Sequence, residues 1–181
     1  CDRRQRQMCI RDRSNKAPRR TLEMISELLR YQLYGGNQKV SILQEIDYLK
    51  TYIALRKLRM SERLRLRVEF PPELNELNIY PLLFLPLVEN AFKYVGGDYQ
   101  LDIIMKWENN RISLFIRNSI PELSAEDEAL RKSVDERQRK GIGLVNLRRR
   151  LSLLYPNKHR LETRKEETEF VAELMIEIED I

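Results

Sequence analysis

The chain has 181 residues, of which 42% are hydrophobic and 34% are charged, and its net charge is +5. This length allows one domain with a sizeable core plus an accessory element, and it is too short for two average domains. The composition is that of an ordinary globular protein. No stretch of eighteen apolar residues occurs, so any membrane anchor is expected to lie outside this chain.

The first thirteen residues, CDRRQRQMCIRDR, have no apolar periodicity, and MCIRDR resembles a translated sequencing-adapter end. We therefore expect residues 1–13 to be foreign to the protein, the alternative being a basic N-terminal arm. Both cysteines lie in this segment, so the remainder has no disulfide framework and no Cys-based metal site. The segment also holds five Arg and two Asp, which leaves a net charge of +2 for the rest of the chain.

Two amphipathic helices are predicted in residues 14–62. The first is APRRTLEMISELLRYQLY, with Pro18 in its first turn and two glycines after its end. Ser41 and Gln44 predict a capping box at the start of the second helix, which should run to about Glu62. Two helices cannot bury both apolar stripes against each other alone. We therefore expect either a partner chain or helices missing from the N-terminal side to cover them.

Residues 63–181 change to a period of two, which is typical of strands. The predicted strands are LRLRVEF, LDIIMKW, RISLFIRN, HRLETRKE and FVAELMIEIE, the last two paired as a hairpin. Asn109 and Asn110 predict a tight turn between the second and third strands. Apolar helices are expected at about 81–95 and 141–155. Mostly antiparallel strands with helices on one face predict an α+β fold, a two-layer sandwich preceded by the helical hairpin.

The connection at residues 119–140 is long for a compact domain, and we expect either an active-site lid or a surface helix around 125–137. It leads into KGIGLVNLRRRL. A helix that begins at Gly141 and Gly143 exposes its backbone N–H groups, which suits phosphate binding. Such a glycine pair is weak evidence by itself, because it is common before helices.

The segment LPLVENAFKY places Glu89, Asn90 and Lys93 within an apolar helix. Burying an unpaired charge or amide is costly, so these side chains face either water or a ligand.

Four segments together carry a resemblance to a known family. PLVENAFKY resembles the N box of the ATP-binding domains of LytS-type histidine kinases, and GIGLVNLRRRL is similar to their second glycine box. KAPRRTLEMISELLRYQLY and LQEIDYLKTYIALRKLRM resemble the helices that precede that domain. The resemblance runs from about Lys16 to the C-terminus. It implies the Bergerat-type ATP-binding fold of histidine kinases, gyrases and MutL proteins, with ATP and Mg²⁺ as ligands.

The resemblance also implies roles for the polar residues of the N box. Asn90 is the implied Mg²⁺ ligand, since magnesium prefers hard oxygen atoms. Glu89 is expected either to order a metal-bound water or to act as an acid/base group. Lys93 lies on the same helical face as Asn90 and is expected to meet phosphate oxygens. Tyr94 stands where these kinases often have His, which weakens the expectation of a phosphate contact there.

The remaining implied nucleotide-binding residues lie later in the chain. Gly141, Gly143 and Leu144 belong to the second glycine box. Asn118 stands where relatives have the adenine-binding Asp of an Asp-x-Gly box, and its amide oxygen can still accept from the adenine amino group. Because the charge-assisted part is lost, on the order of 1 kcal/mol, we expect weaker ATP binding than in relatives with Asp. Thr168 matches a Thr that completes the adenine pocket.

LytS-type kinases carry their phosphoacceptor histidine on an N-terminal helix, whereas this chain has only His159, which we interpret as a surface residue. A reading frame truncated at its 5′ end would explain the missing helix. The first hypothesis is therefore the ATP-binding catalytic part of a two-component sensor histidine kinase, unable to autophosphorylate as this fragment. Its expected partners are a second copy, through the N-terminal helices, and a response regulator. Its expected place is the cytoplasmic portion of an inner-membrane-anchored bacterial sensor.

Two other functions stay open. A degenerate ATP-binding module that regulates a partner without phosphoryl transfer is favoured by Asn118 and Tyr94. A nucleic-acid-binding domain is suggested by a pI near 9.2 and by the run Arg148 to Arg150, which we interpret as the solvated face of a helix. The net charge of +2 beyond residue 13 disfavours a nucleic-acid partner.

Overall fold

The computed structural model describes residues 3–34, 38–72, 74, 77–122 and 142–178. The described residues form four helices and seven strands. In order, they are α1 (Arg3–Tyr34), β1 (Val40–Ser41), α2 (Ile42–Lys57), β2 (Arg65–Glu69), β3 (Asn78–Ile79), α3 (Leu85–Tyr94), β4 (Gln100–Glu108), β5 (Arg111–Ser119), α4 (Ile142–Leu154), β6 (His159–Lys165) and β7 (Glu169–Glu177).

Five of the strands form one sheet in the order β2-β4-β5-β7-β6. β2 pairs with β4 in parallel, and the other three pairings are antiparallel. β5 is the central strand, and its residue Asn118 lies opposite Leu101 of β4 and Phe170 of β7. β1 and β3 form a separate antiparallel pair of two residues each.

Side-chain alternation gives the sheet one buried face. The core residues on that face include Leu101, Ile103, Met105, Ile112, Leu114, Ile116, Leu161, Leu174 and Ile176. The predicted β4–β5 turn is confirmed, with φ of 51° at Asn109 and 59° at Asn110. Two left-handed residues in a row suit a two-residue hairpin, and Asn tolerates this conformation better than most residues. The predicted β6–β7 hairpin is confirmed as well.

Helices α3 and α4 cover the buried face of the sheet and contact each other. α3 buries its apolar residues Leu85, Leu87, Val88, Ala91 and Phe92. The predicted α+β fold in two layers is therefore confirmed. The helix predicted at 81–95 is shorter than expected, because the chain from 81 to 84 forms turns before α3 begins.

The predicted capping box of α2 is present. The Leu43 N–H donates to Ser41 Oγ and the Ser41 N–H donates to Gln44 Oε1, both at 3.2 Å. α2 ends at Lys57 rather than near Glu62, because the chain tightens into turns with bonds between residues three apart.

The prediction that a partner chain or missing N-terminal helices cover the apolar stripe is wrong for α2. Its residues Ile46, Leu49 and Ile53 are buried within this chain, because α2 packs against both α1 and α3. One continuous core thus joins α2 to the sheet. α1 differs, since Leu29 and Leu33 are 54% and 79% exposed.

α1 also begins earlier than predicted. It runs from Arg3, so Pro18 lies inside the helix and not in its first turn. Arg, Gln and Met are good helix formers, which is compatible with a helix that lacks an apolar stripe there. The division into 1–13, 14–62 and 63–181 stays a prediction. Among the described helices, none combines the length and apolarity that a membrane crossing needs.

Candidate functional site

The polar residues of the N box lie on the side of α3 that faces away from the core. Glu89 and Lys93 are exposed, and Asn90 is half-buried. Pro86 in the first turn favours the start of this helix. The Lys93 ammonium lies 5.0 Å from the ring centroid of Tyr94, in the range of a cation–π contact. The structure therefore brings four predicted site residues together on one helix.

Glu89 interacts electrostatically with residues of α2. Partial burial raises the pKa of its carboxyl, and the positive charge of Arg56 opposes this rise. Burial and the charge of Glu89 raise the pKa of Tyr52 on α2 to about 12. The carboxylate thus lies within electrostatic range of α2, and its chemical role stays a prediction.

Asn118 is fully buried at the end of β5. Its Nδ2 donates to the carbonyl oxygen of Ser119 at 3.2 Å. Its Oδ1 is buried and accepts no hydrogen bond from any described residue. Leaving a buried acceptor unpaired costs about 1–3 kcal/mol, so such an atom calls for an explanation. One explanation is a ligand whose donor group completes the hydrogen bond to Oδ1.

The end of β5 is tied to the end of α3 through Ser119. The Gly96 N–H donates to the Ser119 carbonyl at 3.0 Å, and Ser119 Oγ donates to the Gly96 carbonyl at 2.6 Å. A Cβ on Gly96 would lie 2.9 Å from Pro121 Cδ, and Gly97 has φ of +60°, so both positions favour glycine. These bonds fix the N box relative to Asn118. The role of Ser119 was not predicted from the sequence, although the Gly-Gly pair after the predicted helix was a usable signal.

Thr168 lies at the same end of the sheet as Asn118. The Ile120 N–H donates to the Thr168 carbonyl at 2.8 Å. Thr168 lies two residues before Phe170, which pairs with Asn118 across β5 and β7. Its side chain is exposed beside a cavity of about 270 Å³ that Ser119 also lines.

The second glycine box begins α4. Gly143 is exposed, and a Cβ added there would meet no described atom within 4 Å. Leu144 is half-buried and packs against the core. Gly141 lies outside the described residues, and so does most of the segment predicted to be a lid or a surface helix.

The basic run on α4 is a solvated helix face at two of its three positions, as predicted. Arg148 and Arg149 are exposed, and Arg148 also donates from Nη1 to the Leu161 carbonyl at 2.9 Å. Arg150 is half-buried, and its Nη1 lies 3.5 Å from the Leu82 carbonyl oxygen. These two side chains bind the backbone of their own chain, which lowers their availability for a nucleic-acid backbone.

His159 is half-buried and not a free surface residue. Its Nδ1 lies 2.7 Å from the Tyr155 carbonyl oxygen, at the end of α4. Since a carbonyl oxygen only accepts, this nitrogen carries the proton and donates. The imidazole therefore joins α4 to β6.

Glu45, which is fully buried in α2, was not predicted from the sequence either. The signal was its position on the apolar stripe, three residues after Ile42 and four before Leu49, where a charge is unexpected. Within the described parts of the chain, no three His, Cys, Asp or Glu side chains cluster as a metal site would require. A magnesium ion here would depend on an amide oxygen, water and ligand phosphates.

Comparisons with known proteins extend over most of the chain. The family model described as histidine kinase matches residues 5–64. The sensor protein kinase HptS of Staphylococcus aureus is 27% identical over 153 residues, which are 82% of this chain and 30% of HptS. The chain thus spans less than a third of the length of that relative. The matched range includes residues 5–13, whose foreign origin stays a prediction.

Solved structures share the fold at low sequence identity. The mycobacterial sensor histidine kinase MprB has a TM-score of 0.51 and 13% identity, with 80% of this chain and 99% of that chain covered. Full-length ShkA in complex with AMPPNP has a TM-score of 0.53 and 13% identity, with 98% of this chain and 39% of that chain covered. The chain is therefore similar in sequence to histidine kinases, and its mixed α/β fold is that of their ATP-binding domains.

Proposed function

We propose that the chain is the ATP-binding catalytic part of a LytS-type sensor histidine kinase, which transfers the γ-phosphoryl group of ATP to a histidine on a helix absent from this chain. The observation that carries the proposal is the unpaired, buried Oδ1 of Asn118. The exocyclic amino group of adenine is a donor that would complete this hydrogen bond. The AMPPNP complex of ShkA, a protein of the same fold, also supports an adenine nucleotide.

The remaining residues fit a nucleotide phosphate chain. Asn90 would hold Mg²⁺ through its amide oxygen, and the ion would neutralise charge on the phosphates. Lys93 is exposed on the same helix and would bind phosphate oxygens. Gly143 leaves open space at the first turn of α4, where backbone N–H groups suit an anion. Tyr94, Leu144 and Thr168 would border the nucleotide.

Phosphoryl transfer requires an acceptor placed in line with the γ-phosphorus. We propose that this acceptor lies on a helix preceding α1 and that Glu89, which is within electrostatic range of Arg56 on α2, serves it as an acid/base group or orders a metal-bound water. The exposed leucines of α1 support pairing with a second copy through these helices. A response regulator would receive the phosphoryl group. In the whole protein, this part would be the cytoplasmic portion of a membrane-anchored bacterial sensor.

Calorimetric titration with ATP, with and without Mg²⁺, tests the metal and phosphate roles. We expect Asn90→Ala to weaken MgATP binding to the affinity that the parent chain shows in a chelator. Lys93→Ala should also weaken binding, whereas Lys106→Ala, which removes an exposed lysine on the opposite face of the sheet, should not. Unchanged MgATP affinity in Asn90→Ala would remove the metal role from Asn90.

The second candidate is a degenerate module that binds ATP without transferring phosphate. It is favoured by Asn118 and Tyr94, which depart from the Asp and His found in the family. Binding of MgATP without transfer to a restored acceptor helix would select this candidate.

A further inference from the structure

Glu45 connects the two helices of the hairpin to the turn that precedes α3. Its Oε2 accepts from the Tyr31 hydroxyl of α1 at 2.6 Å. The same oxygen accepts from the Leu82 N–H at 2.9 Å. Glu45 is fully buried and both bonds are partly shielded from water, which makes them costly to lose.

Arg150 of α4 contacts Leu82 from the other side, at its carbonyl group. Its Nη1 lies 3.5 Å from the Leu82 carbonyl oxygen, and its positive charge acts on both Glu45 and Tyr31. Leu82 has φ of +59°, a left-handed conformation that leucine rarely adopts. Strained backbone persists only where its surroundings hold it, and here Glu45 binds the N–H while Arg150 binds the carbonyl.

Leu82 lies three positions before the start of α3, the helix that carries the N box. The N-cap residue Phe84 makes no side-chain cap of its own. Burial raises the pKa of the Glu45 carboxyl, and the nearby Leu82 and Phe84 N–H groups oppose this rise. Because its Oε2 accepts from the Leu82 N–H just before α3, Glu45 supplies a hydrogen-bond acceptor from another element near the start of this helix.

We propose that Glu45 is a positioning residue through which the placement of α1 sets the start of α3 and, with it, the affinity of the N box for nucleotide. When α1 moves, Tyr31 withdraws its hydroxyl and the buried carboxylate loses a donor. The hydrogen bond between Glu45 and the Leu82 N–H is then weakened, and the left-handed turn at Leu82 relaxes. The nucleotide part of this proposal rests on the proposed function, whereas the coupling between α1 and α3 does not.

Amide hydrogen exchange without nucleotide tests the coupling directly. Tyr31→Phe removes only the hydroxyl, and we expect exchange across residues 82–94 to rise about tenfold, the effect of one lost buried hydrogen bond. Exchange in β5 should stay unchanged. Gln32→Ala is the matched control, because Gln32 Nε2 donates at 2.9 Å to the Tyr48 hydroxyl across the same helix pair without contacting Glu45.

Calorimetry with MgATP supplies the second readout. Tyr31→Phe should weaken binding several-fold, Gln32→Ala should not, and Glu45→Gln should retain more affinity than Glu45→Ala because its amide oxygen still accepts a hydrogen bond. Equal rises in exchange across β5, or equal effects in Gln32→Ala, would overturn the coupling. A selective rise in exchange with unchanged MgATP affinity would overturn the link to nucleotide. No MgATP binding by the parent chain would reject the proposed function, and the exchange result would still decide the coupling.

Discussion

The side-chain amide of Asn118 donates to the carbonyl oxygen of Ser119, and this bond decides what Asn118 can recognise. A carbonyl oxygen accepts, so the amide nitrogen must face Ser119 at 3.2 Å. Oδ1 is then the atom left over, buried and without a donor among the described residues. A base that brings an amino group satisfies it, whereas a base that brings a carbonyl oxygen does not.

We predict that the chain prefers ATP to GTP and that Asn118→Leu abolishes the preference. Leucine is close to asparagine in shape and leaves no unpaired acceptor, so the free energy of unfolding should change by less than about 1 kcal/mol. ATP affinity should fall about tenfold, the effect of one hydrogen bond of about 1.4 kcal/mol. Competition binding and urea unfolding measure the two quantities. An unchanged ATP affinity in Asn118→Leu would remove Asn118 from base recognition.

Gly143→Ala should separate stability from nucleotide binding. Alanine is favoured over glycine within a helix by about 0.5–1 kcal/mol, and the structure offers open space for its Cβ. The variant should therefore unfold at a higher urea concentration. If phosphates approach the first turn of α4 closely, the same methyl group should weaken ATP binding. Equal ATP affinity in both proteins would place the phosphates elsewhere.

The stability of the chain should depend on pH through Glu45. Burial raises the pKa of this carboxyl above its ordinary value of 4.5, although Tyr31 and the Leu82 N–H oppose the rise. Between 4.5 and the raised value, the folded protein holds the proton more tightly than the unfolded chain, so stability falls as pH rises. Below 4.5 both states are protonated and the effect ends.

Glu45→Gln cannot titrate and should lack this part of the pH dependence. The difference in unfolding free energy between Glu45→Gln and the parent chain should therefore shift in favour of the variant as pH rises above 4.5. Urea unfolding of both proteins at several pH values gives this difference, in which the other carboxyl groups cancel. A difference that is constant with pH would mean that Glu45 ionises normally when folded.

Phosphoryl transfer should require a restored acceptor helix. We expect no histidine phosphorylation of the chain alone, because the His159 Nδ1 is bound to the Tyr155 carbonyl and joins two structural elements. Mixed with a protein that carries the family's acceptor helix, the chain should label that helix from radioactive ATP, and Lys93→Ala should reduce the label. Acid lability and mass spectrometry identify the site. Acid-labile label on His159 would contradict this assignment.

The locally determined features were predictable from the sequence. The capping box at Ser41 and Gln44 and the turn at Asn109 and Asn110 depend on residues that are neighbours in the chain. Alternation of apolar and polar residues predicted the strands in the same way, because its period is a property of the backbone.

The features that the sequence did not reveal depend on contacts between distant segments. α2 is covered by α3, which follows it by about thirty residues, and no local pattern specifies that pairing. Arg150 belongs to a run of three arginines typical of a solvated surface, yet it reaches Leu82, 68 positions away. The β1–β3 pair has two residues in each strand, too few for a periodic signal.

The central place of β5 has a consequence for the entropy of binding. This strand is hydrogen-bonded along both edges, to β4 and to β7, so the backbone that carries Asn118 is fixed before any ligand arrives. Ordering the backbone of one flexible residue costs about 1–2 kcal/mol, and a loop-borne acceptor would incur that cost on every binding event. Here the cost is met once, when the sheet forms. A base that binds at Asn118 would therefore meet a preorganised acceptor, and the entropy lost on binding would come mainly from the nucleotide.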